Sequence, residues 1–177
     1  MSPDKTRLLM AQQEYLKKVT LFKGLSDAQL ERMISVMGVT KFAEKDYIMR
    51  EGESSTDIYI LLEGEIEISK SLVLPQWIQS AQKQEKSLIV LSEKYHPFFG
   101  EMSMFGTDST REASIRAVRP CTIAFLTKEK LIKEIEKEPA IGTIIYRNIA
   151  SELVKRLRKA NKDILKLTTA FTLALEG

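Results

Sequence analysis

An α+β fold is what the 177-residue sequence predicts: an eight-stranded antiparallel β jelly roll between N-terminal helices and a long C-terminal helix. Three observations carry that reading. Apolar residues recur at helical spacing before Val39, alternate with a period of two from there to Leu126, and return to helical spacing after Thr127. The order helices, strands, helices belongs to an α+β arrangement. Short strands punctuated by glycine turns point to a sandwich or jelly roll.

Ser2-Pro3-Asp4 supplies a capping side chain followed by proline in the first turn, which predicts a helix running to about Val19. Gly24 breaks the pattern, and Ser26 with Gln29 three residues on forms a capping box for a second helix. Leu30, Met33, Ile34 and Met37 give that helix one buried face. "IYILL" and "EIEIS" about Glu63-Gly64 read as two strands around a tight turn, with Ile58, Ile60 and Leu62 or their alternating neighbours lining the barrel. "SLIVLS" (87–92), "ASIRAV" (113–118) and "CTIAFL" (121–126) supply further strands. The polar stretch 75–86 lacks periodicity and reads as an inserted loop, with Trp77 and Ile78 packing down on the barrel. Thr127 begins an amphipathic helix that Glu138-Pro139 ends, and a helical pattern then continues to about Phe171. The chain divides into an N-terminal helix (1–19), a β-roll (20–138) and a C-terminal lid or dimerisation helix (139–177).

With 44% hydrophobic and 29% charged residues, the chain is globular rather than disordered. A net charge of +3 is too small to imply nucleic acid by itself. Cys121 is the only cysteine, so no intrachain disulfide forms and a reducing cytoplasm fits. The first residues mix charge into every turn, unlike a signal peptide, and no run approaches the roughly 18 apolar residues of a membrane span. Enzyme signatures fail. His96 is the single histidine, which removes histidine-rich metal sites, and no phosphate loop, nucleophile elbow or zinc-protease motif occurs. The expectation is a non-enzyme without metal, placed in the cytoplasm.

One stretch remains to be explained, "FFGEMSMFGTDSTREASIRA" (98–117). If Met102 to Phe105 form a helical turn, their free N–H groups and its positive end attract an anion. Gly100 lets backbone approach a ligand where a Cβ could not. Ser103 adds a hydroxyl, and Arg111 returns with a planar fork that suits two phosphate oxygens. Glu101 beside a phosphate would be repelled, so it needs another partner, and a ribose hydroxyl suits an acceptor-only carboxylate. Phosphate and ribose hydroxyl in one compact pocket describe a cyclic nucleotide. The plainer reading pairs Glu101 with Arg111 in an empty pocket.

These segments resemble the cyclic nucleotide-binding domain family, that of the catabolite activator protein and protein kinase regulatory subunits. The likeness covers roughly residues 20–165 and rests on "LFKGLSDAQLERM", "YIMREGESSTDIYILLEGEIEI" and "FGEMSMFGTDSTREASIRA". It implies Phe99, Gly100 and Glu101 at the ribose and phosphate region, Met102 and Ser103 as backbone donors, and Arg111 on the phosphate charge. Ala113 and Ser114 continue the cassette, and Asn161 falls near where the activator touches the base. Cyclic AMP is the first choice of ligand and cyclic GMP the second. Glu112 departs from the family pattern of Ala, Ser or Thr: facing the phosphate it costs on the order of 1 kcal/mol, facing the base it accepts from an amino group, facing solvent it does nothing.

The tail speaks to output. Only a short segment follows the long helix, too short for a helix-turn-helix, so no DNA partner is expected. The basic residues of 147–166 read as a solvated helix face. Leu153, Leu157, Ala160, Ile164, Leu167 and Phe171 are spaced 4, 3, 4, 3, 4, a heptad seam. It suits a parallel homodimer, with packing on its own barrel as the alternative. The function so implied is a cyclic nucleotide sensor that relays occupancy through this helix to an unidentified effector. The rival is a ligand-free domain of the same fold acting as an interaction module.

Overall fold

Local sequence sets the helix boundaries. The Ser26 hydroxyl accepts from Gln29 N at 3.2 Å and the Gln29 side chain accepts from Ser26 N at 3.0 Å, closing the expected capping box. The helix it opens runs Asp27–Val36 and buries Leu30, Met33 and Ile34. Thr127 caps a helix over Lys128–Lys137, and Pro139 opens the long one, Pro139–Glu176. The single N-terminal helix expected to Val19 is instead two, Pro3–Ala11 and Gln13–Lys18, broken at Gln12. The break lets Leu9 and Leu16 both be fully buried and brings the Tyr15 hydroxyl within hydrogen-bond reach of two carbonyls that share its one proton, Leu61 O (2.6 Å) and Glu93 O (2.7 Å). This computed structural model describes residues 3–72, 85–106 and 108–176. In chain order the helices are α1 (Pro3–Ala11), α2 (Gln13–Lys18), α3 (Asp27–Val36), α4 (Glu101–Phe105), α5 (Lys128–Lys137) and α6 (Pro139–Glu176).

Six strands form the antiparallel roll among the described residues: β1 (Gly38–Phe42), β2 (Tyr47–Met49), β3 (Ile58–Ser71), β4 (Glu85–Ser92), β5 (Phe98–Phe99) and β6 (Ser114–Leu126). Their order is β1-β6-β3-β4, with β2 also on β6 and β5 on β3. The expected hairpin at Glu63-Gly64 is not there. β3 runs through it as one bent strand, with Gly64 at φ 111 and register shifts on either side. A Cβ at Gly64 would lie 2.6 Å from both Cys121 Sγ and Pro120 O, so the glycine serves the close approach of β6 and not a reversal. The two strands expected at 113–118 and 121–126 likewise merge, through Pro120, into β6. Each merger turns two expected short strands into one long one. The loop expected at 75–86 lies outside the described residues, Trp77 and Ile78 included, except Glu85 and Lys86, which open β4.

β3 separates two cores by its alternation. Ile58, Ile60 and Leu62 face the helices and join Leu9, Leu16, Met33 and Leu131. Leu61 and Ile66 face the roll interior with Phe99, Ile115 and Ile123. The alternating neighbours, not Ile58, Ile60 and Leu62, therefore fill the roll. The first turns of α6 belong to the helical core through Ile141, Ile145 and Ile149, spaced by four. Asn148 pins them, donating to Leu21 O (3.1 Å) and Lys23 O (2.8 Å). Beyond Glu152 every described side chain of α6 is exposed.

Candidate functional site

The stretch 98–117 folds as β5, a left-handed glycine, the short helix α4, a loop, and the start of β6. Phe99 is buried and stacks on Tyr59 of β3 with ring centres 5.6 Å apart. Gly100 sits at φ 89, and a Cβ there would lie 2.6 Å from Asp57 O and 2.7 Å from Arg111 Nη1. The missing side chain lets Asp57 O and the Arg111 guanidinium close on the backbone at this point.

Arg111 is 1% exposed. Its Nη1 donates to Gly100 O (3.1 Å), and its Nη2 to Ser55 Oγ (2.8 Å) and Asp57 O (3.0 Å). The guanidinium lies 5.3 Å from the Tyr59 ring centre. Among the described residues no carboxylate reaches salt-bridge distance of it, and its Nε is buried without a hydrogen-bond partner. A buried cation held by neutral dipoles, with one donor left over, is an anion-seeking arrangement.

Glu101 does not pair with Arg111. It is 2% exposed, and its Oε1 accepts from Arg156 Nη1 of α6 at 2.6 Å. Its Oε2 is buried and unpartnered. Burial pushes this carboxyl up, and the Arg156 guanidinium offsets that only in part. Arg156 also donates to Phe98 O (3.1 Å) and lies 3.5 Å from Glu152 Oε1. The sequence reading counted Arg156 only among the solvated basic residues. The signal that finds it is register: the buried face of Ile141, Ile145 and Ile149 continues through Glu152 to Arg156.

The other expected residues scatter in role. Met102 is 53% exposed, and the Ser103 hydroxyl is used within the cassette, donating to Thr110 O at 3.0 Å. Glu112 is exposed and pairs with Lys70 at 3.3 Å, so of the three orientations considered it takes the solvent one. Ala113 is half-buried. Ser114 is buried, accepts from Glu51 N (3.1 Å) and donates to Glu85 Oε1 (3.2 Å). Asn161 is exposed, on the stretch of α6 that has left the roll.

Between α6 and the roll lies a cavity of about 430 Å³, which Glu101's partner Arg156 lines and Glu101 and Arg111 themselves do not. Ile68, Ile89, Leu91 and Phe99 form an apolar floor, and α6 adds Glu152, Lys155, Arg156 and Lys159 as a polar wall. Asn161 is not among the lining residues. Among the described residues no cluster of His, Cys, Asp and Glu could hold a metal ion, and no helix is long and apolar enough to cross a membrane.

Comparisons with known proteins bear on this arrangement. The family model described as "Cyclic nucleotide-binding domain" matches residues 39–138, more than half the chain. The cAMP-activated global transcriptional regulator CRP of Pasteurella multocida is 26% identical over 141 residues, 80% of this chain and 61% of that protein. Human cGMP-dependent protein kinase 2 is 31% identical over 106 residues, 58% of this chain. The chain thus spans about three fifths of the regulator's length and only 12% of the kinase's. Among solved structures, a cyclic nucleotide-binding domain from Methylobacillus flagellatus superposes with a TM-score of 0.73 at 21% identity, covering 90% of this chain and 84% of that one. The Thermus thermophilus catabolite activator protein follows at 0.69 and 23%, covering 84% and 63%. These likenesses share the roll and the flanking helices seen here, and with the match over 39–138 they place the chain in the cyclic nucleotide-binding domain family.

Proposed function

We propose that this chain is a sensor of a cyclic mononucleotide, with a regulatory and not a catalytic role. The phosphate is taken by the Arg111 guanidinium, the ribose hydroxyl by Glu101, and the base by the apolar cavity. The observation that carries this is the pair of orphaned atoms, Arg111 Nε and Glu101 Oε2, buried in one cassette without partners. A group costly to leave unpaired is explained by a ligand that pairs it. The relatives named for cAMP and cGMP support the same ligand class.

Arg156 supports a relay. It ties α6 to the carboxylate that the ribose would engage, so ligand and helix share one residue. A ligand shifts a helix only through contacts that differ between two states, and a ribose hydroxyl competing with Arg156 for the Glu101 carboxylate would supply that difference. We further infer that the exposed seam on α6 pairs with a second copy, since Leu157, Ile164, Leu167 and Phe171 are each more than 60% exposed at heptad spacing.

The test is calorimetric titration of the folded protein with cyclic AMP and cyclic GMP, alongside Arg111→Ala. Binding by wild type, weakened in the variant, is the expected result; no heat with either nucleotide at millimolar concentration sinks the reading. One observation favours the ligand-free alternative: the Arg111 side chain is already held at both terminal nitrogens by the protein. On that reading wild type binds neither nucleotide while the exposed face of α6 still docks a partner protein.

A further inference from the structure

We infer that the base end of the cavity selects guanine over adenine, and that Lys159 is the residue that selects. The inference rests on the reading above, that the cavity holds a cyclic nucleotide. Three cationic side chains of α6 line the cavity, and two are already engaged. Arg156 is held by Glu101, and Lys155 by Glu152 at 3.5 Å. Lys159, also in the lining, has no acidic or hydrogen-bonding partner among the described residues.

Position decides what it meets. Lys159 follows Arg156 by three residues on the same helix face, about 4.5 Å further along the axis. With the ribose held at Glu101 and Arg156, the base extends from that end over Ile89 and Leu91, and Lys159 stands over its edge. A primary ammonium is a donor only, and covering it with a ligand that offers no acceptor strips its water without replacement. Guanine presents O6 and N7 as adjacent acceptors, the commonest target of a lysine or arginine reading a base. Adenine presents N7 beside an amino group, so half of that edge points hydrogens at the cation. The sequence-level preference for cyclic AMP took no account of this residue, which was grouped with the solvated lysines.

The experiment is competitive calorimetry with cyclic GMP, cyclic AMP and cyclic IMP on wild type, Lys159→Ala and Lys159→Gln. Cyclic IMP keeps O6 and N7 but lacks the 2-amino group. Wild type is expected to bind cyclic GMP about 5- to 150-fold more tightly than cyclic AMP. Cyclic IMP should follow cyclic GMP. Lys159→Ala should bring the purines near parity, and Lys159→Gln, whose amide matches adenine N6 and N7, should move preference toward cyclic AMP. Lys159 is exposed on a helix, so both variants retain the fold. Equal or tighter binding of cyclic AMP, cyclic IMP behaving as cyclic AMP does, or a preference unmoved in Lys159→Ala overturns the inference. Binding of neither nucleotide by wild type instead overturns the site reading beneath it, and the two failures are told apart by that alone.

Discussion

Arg111 and Glu101 contribute by different physics, and their variants separate it. On the proposed reading Arg111 meets the phosphate inside a desolvated cup, where charge-assisted hydrogen bonds are worth roughly 1.5–3 kcal/mol. Arg111→Ala should weaken nucleotide binding about 10- to 150-fold, and Arg111→Lys, which keeps the charge without the fork, should recover part of that. Glu101 carries a stability cost that is visible without ligand. Its carboxyl is raised by burial first, with Arg156 opposing. A folded-state pKa above the unfolded one means the folded protein holds the proton longer. Stability therefore falls as pH rises from the ordinary carboxylate range through the raised value, and stays lower beyond it. Glu101→Gln, shaped like the neutral acid, should melt higher than wild type at pH 7, with the gap closing as pH is lowered through that window. The same variant should bind cyclic nucleotide more weakly, and a 2′-deoxy analogue should be far less sensitive to the change. A Glu101→Gln protein that melts lower than wild type at pH 7 contradicts this account. Gly100→Ala should fail for a backbone reason: φ is 89, and the added methyl meets Asp57 O and Arg111 Nη1.

At the scale of elements, what the sequence made legible was whatever local chemistry decides. The Ser26–Gln29 box, the Thr127 cap and the stop before Pro139 are short-range signals, and each helix boundary they mark stands where the spacing put it. The cassette was legible for the same reason, being contiguous. Gly64 was misread because a positive φ serves a turn or a close approach equally well, and only the position of Cys121 and Pro120 on β6 distinguishes them. Arg156, Tyr59 and Asp57 were missed because they reach Arg111 or Glu101 from other elements, and nothing in their own neighbourhood marks them. α6 depends on one such long-range contact. Asn148 satisfies the carbonyls of Leu21 and Lys23, 127 and 125 residues away in sequence. Asn148→Ala leaves those acceptors without their donor at a cost of about 1–3 kcal/mol. At about 2–4 °C per kcal/mol for a chain of this size, thermal denaturation should detect it. Nucleotide affinity should change little if α6 stays helical.

The whole molecule divides α6 into two regimes. Up to Ile149 the helix is part of the core; beyond Glu152 only its Lys155, Arg156 and Lys159 side still faces the roll, and Leu157, Ile164, Leu165, Leu167, Phe171, Leu173 and Leu175 are all at least 61% exposed. In this structure the stripe is not packed back on its own roll. An isolated amphipathic segment of this kind stays ordered by burying its seam, and the 4, 3, 4, 3, 4 spacing matches a second identical helix better than a flat surface. Full burial of a leucine or isoleucine is worth roughly 1.5–3 kcal/mol, so a few seam residues per helix suffice to hold two chains together. Leu157→Lys with Ile164→Lys would place like charges against each other across a parallel pair, and light scattering should then report monomers where wild type gives dimers. Because both positions lie beyond the core, the variant should keep its thermal transition for the roll and its nucleotide affinity at the cassette. A wild type that is monomeric at high concentration removes the dimer. A double variant that stays dimeric moves the interface off the α6 seam to another face of the roll.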